Sequence, residues 1–140
     1  MSSRKFIVNM INNIYLNYSE KVLIDIKKTA ISIDQVCCMI IAIDFIFNKP
    51  SLLKFKYIID IKYTHLMGND IATYKNTAII FLPDNSREDK NFNLPAINNI
   101  DCSFDKIIIE KDKIKGIFSV KFETDFLRRR AITLNLASRY

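Results

Sequence analysis

Glycine, tryptophan and histidine are scarce in this 140-residue chain: there are two glycines, no tryptophan and one histidine. Two glycines, Gly68 and Gly116, leave no room for a glycine-rich loop that cradles phosphates, since such a loop needs several positions where backbone meets the anion without a Cβ. A single imidazole, His65, lies in the turn sequence His65-Leu66-Met67-Gly68-Asn69-Asp70, where a structural role is the usual one, and Asp70 is its nearest acidic neighbour. The cysteines are three, Cys37, Cys38 and Cys102, an odd number without metal-ligand spacing. They are expected to sit in a reduced compartment as small buried hydrophobes, with Cys37 and Cys38 diverging on a helix. Long apolar runs are also missing: Val36–Ile43 falls far short of the about 20 residues that a helical membrane span requires. The beginning of the chain lacks a secretory apolar core, and Glu20 and Asp25 do not suit an Arg-rich transit peptide. No carboxylate pair or nucleophile elbow is visible, so no catalytic residue, metal site, cofactor or small-molecule substrate is expected.

What is present is an apolar fraction of 49%, which excludes a disordered chain and suits one domain over residues 1–140. Isoleucine, asparagine and lysine dominate, as an AT-rich coding sequence produces, and that bias accounts for part of the basic character. The net charge of +6 and a pI near 9.2 still favour polyanionic partners, either nucleic acid or an anionic membrane surface. The positive excess is uneven. Residues 1–28 carry Arg4, Lys5, Lys21, Lys27 and Lys28 against Glu20 and Asp25, while the last twenty carry Lys121, Arg128, Arg129, Arg130 and Arg139 against Glu123 and Asp125. Residues 101–115 are balanced, with four charges of each sign.

Read in order, Arg4–Met10 predicts a short first strand, and Asn9, Asn12 and Asn13 then suggest a turn or an irregular polar contact. Tyr15–Thr29 fits either a strand then a helix or a helix from Ser19, and the helix with Ser19 as N-cap is favoured. Ser32–Asn48 predicts the central helix: Ser32 suits its cap, Val36, Met39, Ile40, Ile43, Ile46 and Phe47 fall at helical spacing, and Pro50 ends it. Leu53–Tyr63 alternates and predicts a strand on which Lys54, Lys56 and Lys62 interleave with Phe55, Tyr57 and Tyr63, with Lys54, Lys56, Asp60 and Lys62 on mixed faces. Such rings can stack on bases while the lysines meet phosphates. On composition alone, the plainer reading is that the rings are core and the lysines a solvated face. Thr73–Leu82 is a further strand, Pro83–Asn93 a charged loop, and Phe104–Glu110 with Ile117–Thr124 a hairpin joined through Lys111–Gly116. Asp125–Ser138 predicts a last helix with the arginine triad on a solvated turn. Helices mixed with antiparallel strands give an α+β class, an antiparallel sheet with helices packed on one face.

Several short motifs fall in one order along the chain. Lys5-Phe6-Ile7-Val8-Asn9-Met10, Ile46-Phe47-Asn48-Lys49-Pro50, the lysines after it with Gly68 and Ile71, Leu94-Pro95-Ala96-Ile97, Gly116–Thr124 and Ala131–Leu136 follow one another. In that order they resemble the bacterial-type large-subunit ribosomal protein five family, which binds 5S ribosomal RNA. The resemblance implies a structural constituent of a large ribosomal subunit, mitochondrial and organelle-encoded or otherwise cytoplasmic, that anchors RNA at the central protuberance. Its implied partners are 5S or large-subunit ribosomal RNA, neighbouring ribosomal proteins and a small-subunit head protein. The residues expected to contact RNA are Lys5, Asn9, Asn12, Asn48, Lys49, Lys54, Lys56, Lys62, Arg128, Arg129 and Arg130. The alternative is a small protein–protein interaction module from an AT-rich viral or bacterial genome.

Overall fold

Every second side chain of Leu53–His65 is buried, from Leu53 through Phe55, Tyr57, Ile59, Ile61 and Tyr63, and this period-two pattern organises the molecule. The computed structural model describes residues 2–48, 50–83 and 95–136, with side chains for 10–48, 50–83 and 95–126. It contains six antiparallel strands: β1 (Ser2–Asp25), β2 (Ser32–Ile46), β3 (Leu52–His65), β4 (Gly68–Phe81), β5 (Ala96–Glu110) and β6 (Lys113–Leu136). One sheet has the order β1-β6-β5 and the other β2-β3-β4. The two central strands face each other, β1 packs towards β4 and β2 towards β5.

The core is an aromatic ladder between β3 and β6. Tyr57 stacks on Phe118 with centroids 3.8 Å apart, and Phe55 meets Phe122 edge-on at 5.2 Å. Tyr18 of β1 closes on Phe55 at 5.4 Å, and Phe45 of β2 on Phe126 at 6.1 Å. Such pairs add to the apolar burial that drives the two sheets together.

The α+β expectation is therefore corrected: among the described residues the fold is all-β, without a helix. Each of the three predicted helices fails for its own physical reason. Ser32–Asn48 is the strand β2. Its ladder shifts register between Ile33 and Gln35 and again between Ile40 and Ala42. A bulge moves the inward-facing set by one residue, so Val36, Ile40 and Ile43 line one face at spacings of four and three, which imitate a helix. Met39 and Phe47, assigned to the helix's buried stripe, are 48% and 40% exposed. In β1, Ile14, Leu16, Tyr18, Val22 and Ile24 alternate inwards, but the carboxylate of Glu20 occupies an inward position and hides the period. The segment Asp125–Ser138 continues β6 as far as Leu136, because its backbone pairs residue for residue with β1.

The predicted strands all fall on observed ones, but Arg4–Met10 is only the start of β1, whose ladder continues through Asn12 and Asn13 where a turn or irregular contact was expected. The turn after His65 is a tight hairpin whose loop is Leu66-Met67. The connector of the last hairpin is shorter than predicted, Lys111-Asp112 alone, since β6 begins at Lys113. Lys111 has a φ of 38°, as two-residue hairpin turns demand. Within the Pro83–Asn93 loop, residues 84–93 lie outside the described residues, as does Lys49. Among the described residues, no helix is long and apolar enough to cross a membrane.

Candidate nucleic-acid interface

The lysines of the alternating strand share one face rather than the mixed faces expected. Lys54, Lys56 and Lys62 are exposed on the outer side of β3, opposite the buried rings, and the exposed Lys75 of β4 pairs beside Ile58 on the same face. Phe55, Tyr57 and Tyr63 are 1%, 0% and 2% exposed, so these rings are core and take no part in stacking on a base. The surface between them is not purely cationic. Asp44 pairs opposite Lys54, and Asp60, which accepts a hydrogen bond from Thr73 Oγ1 at 2.7 Å, lies between Ile58 and Lys62. The strands of this sheet hold Lys54, Lys56, Lys62 and Lys75 against Asp34, Asp44, Asp60 and Asp70, and are neutral as a whole. A shallow groove of about 240 Å³ on it runs past Ala42, Asp44, Lys54, Lys56 and Thr77.

The charge excess sits elsewhere. β5 first pairs with β6 at Ala96↔Asp125, whereas β1 and β6 remain paired out to Ser2↔Leu136. Ser2–Ile11 and Leu127–Leu136 thus form a two-stranded ribbon of ten register pairs, to which no other described strand is hydrogen-bonded. At about 3.4 Å per residue it is roughly 34 Å long. It carries Arg4, Lys5, Arg128, Arg129 and Arg130 and no carboxylate, leaving sixteen cations against fifteen carboxylates in the rest of the chain. Asn9 pairs with Arg129, and Lys5 with Thr133, so the predicted residues of both chain ends belong to one ribbon. Just below its base, Asn13 donates to Asp125 Oδ1 at 2.7 Å, which holds the Asp125 carboxyl below the usual carboxylate range. Asn12 is half-buried opposite Phe126. Asn48 is exposed in the β2–β3 loop, where its carbonyl accepts from Ser51 Oγ at 3.0 Å. Of the eleven predicted residues, Lys5, Asn9, Arg128, Arg129 and Arg130 belong to the ribbon and Lys54, Lys56 and Lys62 to the outer face of β3, while Asn12 and Asn48 join neither group and Lys49 lies outside the described residues.

Comparison with protein-family models, curated proteins and solved structures returns no match. Chemistry and geometry are left to carry the functional reading.

Sequence reasoning missed an exposed aromatic. Tyr15 of β1 is 53% exposed, and Lys121 Nζ lies 4.3 Å from its ring centroid. Its signal was the odd-numbered, outward half of β1, legible only once that segment is known to be a strand. A second groove of about 550 Å³ lies on that sheet near Asn17, Ser19, Asp101, Ser103, Ser119 and Lys121, with charges of both signs. His65 and Asp70 do meet: Nε2 lies 3.1 Å from Asp70 Oδ2. However, Nδ1 accepts the Met67 N–H at 3.0 Å, so both ring nitrogens are engaged in holding the hairpin.

Proposed function

We propose that this protein is a structural RNA-binding protein whose main contact is the cationic β1–β6 ribbon, with Lys54, Lys56 and Lys62 as a second, weaker one. One observation carries this reading: five cations and no carboxylate on a two-stranded ribbon, beside a body that is close to neutral. Lysine and arginine on such an element neutralise phosphates without reading sequence. The finer reading, a constituent of a mitochondrial large ribosomal subunit on 5S or large-subunit RNA, rests on the ordered motifs from Lys5–Met10 to Ala131–Leu136. The helices that this family resemblance implies are strands here, so the fold adds nothing to it.

The test is binding of the full chain to a structured RNA across a salt series. Affinity should fall steeply with salt, and Arg128→Gln, Arg129→Gln and Arg130→Gln together should weaken binding and reduce the slope by two to three phosphate equivalents. Lys54→Gln with Lys56→Gln should have the smaller effect. Binding that ignores salt, or that survives the arginine changes intact, overturns the reading. Co-sedimentation with a large ribosomal subunit tests the finer one separately.

A protein–protein module is the second reading, favoured by exposed apolar residues at one end of the β2-β3-β4 sheet. Leu66, Met67 and Ile71 are 90%, 82% and 67% exposed there, and an apolar partner would shield them.

A further inference from the structure

The two sheets approach along β2 and β5, and there two of the three cysteines meet. Cys38 of β2 places its thiol 3.6 Å from the Sγ of Cys102 in β5, and the Cys102 thiol lies 3.3 Å from the Cys38 carbonyl oxygen. Each residue is half-buried, and 64 positions of chain separate them. This corrects the expectation that Cys37 and Cys38 are a diverging pair of buried helical thiols. They are neighbours on a strand and face opposite sides, Cys37 outwards and exposed, Cys38 inwards towards the other sheet. We propose that Cys38 and Cys102 form a reversible inter-sheet disulfide, closed by exchange with a low-molecular-weight disulfide.

Three observations support the pairing. The sulfurs already touch, and closure to the bonded distance of about 2.05 Å requires an approach of about 1.5 Å, which rotation about the two χ1 bonds and a small edge shift supply. Both partners are on edge strands, each hydrogen-bonded along one side only among the described residues, so either edge can adjust without breaking a ladder on both sides. Cys37, turned outwards, cannot compete for Cys102 without turning its strand over.

The chemistry balances as two exchanges. The Cys102 thiolate attacks one sulfur of a small disulfide RSSR, forming a Cys102–S–S–R bond and expelling RS⁻. The Cys38 thiol then loses its proton, and its thiolate attacks Cys102 Sγ, breaking the bond to the small thiol. The second RS⁻ departs, and the released protons yield two RSH. The protein's two thiols are oxidised, and RSSR is reduced. Burial pushes the Cys38 thiol up to about 12 and raises Cys102 as well, so exchange is slow near neutrality and speeds up in alkaline buffer. Once formed, the bridge joins two sheets that no backbone ladder connects among the described residues, and it closes a long loop, the arrangement in which a cross-link most restricts the unfolded chain. In a reducing compartment the pair stays open, and an oxidising shift closes it.

The experiment uses the full-length chain with glutathione disulfide at pH 8.5. Expected are the loss of two of three free thiols, a Cys38–Cys102 cross-linked peptide in a non-reducing digest, and a thermal midpoint raised by about 10 °C. Dithiothreitol should reverse all three. Cys37→Ser should keep the effect, while Cys38→Ser and Cys102→Ser should each abolish it. Glutathione carried on Cys37 alone with the other two thiols still free, or a cross-link that includes Cys37, overturns the proposal.

Discussion

The tip of the Phe104 ring in β5 rests on the backbone of Gly116 in β6, so that a Cβ added to Gly116 would stand 2.3 Å from its Cζ. The strand register explains the closeness. Asp105↔Ile117 is followed by Ile108↔Lys115, and the extra residues bulge away with Lys106 at a φ of 52°. The bulge tilts β5 and lets the ring cover the one position in β6 that lacks a side chain.

Gly116→Ala should therefore destabilise the protein by about 2 kcal/mol through overpacking. Phe104→Leu in the same chain should recover part of that loss, although Phe104→Leu alone is itself destabilising. A double-mutant cycle by urea denaturation measures the coupling, and additive losses would mean that ring and glycine do not compete for space.

Thr124 lies wholly buried in β6, and its Oγ1 has no hydrogen-bond partner among the described residues. A buried hydroxyl without a partner keeps its desolvation cost. Thr124→Val retains the shape and removes the hydroxyl, and it should stabilise by about 1 kcal/mol. A lowered thermal midpoint would show that the hydroxyl is in fact satisfied.

Glu20 turns inwards between the sheets, where Tyr57 donates its hydroxyl to Glu20 Oε1 and Asn76 Nδ2 donates to the same oxygen at 3.3 Å. Burial first, then the bond to Glu20, pushes Tyr18 up to about 12, and the same causes raise Tyr57 further. A raised phenol is protonated in the folded chain at a pH where the unfolded chain has already ionised. The folded state then binds more protons, and stability falls as pH rises from about 10 through the folded values. Alkaline unfolding should therefore begin near pH 10. Tyr57→Phe should flatten that slope while lowering stability at pH 7, where Glu20 loses one of its donors. An unchanged slope in Tyr57→Phe with Tyr18→Phe would contradict this assignment.

The turn Lys111-Asp112 joins β5 to β6 with a lysine in the left-handed region. Asparagine and glycine accept that conformation at lower cost. Lys111→Asn should raise stability by about 0.5 kcal/mol, read from the denaturant midpoint.

The apolar alternation of Leu53–Tyr63 was enough to identify β3 as a strand, because its period of two is unbroken, but the structure decided that its rings are core and that Lys54, Lys56 and Lys62 share the outer face. The β4 strand was legible from its apolar run Ala78–Leu82, and the last hairpin from the connector Lys111–Gly116. β2 was not, since its two bulges turn a strand's period into something close to 3.6. β1 was not either, because Glu20 occupies an inward position that hydrogen bonds from Tyr57 and Asn76, on other strands, help to make tolerable. The arginine triad was legible as charge but not as part of a ribbon, since nothing local says that Arg129 will pair with Asn9.

By itself the sequence determined the charge, its concentration near the two chain ends, and the strands whose alternation is unbroken, for these are properties of residues and their near neighbours. The tertiary structure decided which segments became strands despite bulges and an inward carboxylate, that the two basic ends share one ribbon, and that Cys38 meets Cys102. Those outcomes depend on pairings between residues tens of positions apart, where burial and backbone hydrogen bonding gained across the sheets outweigh local propensity.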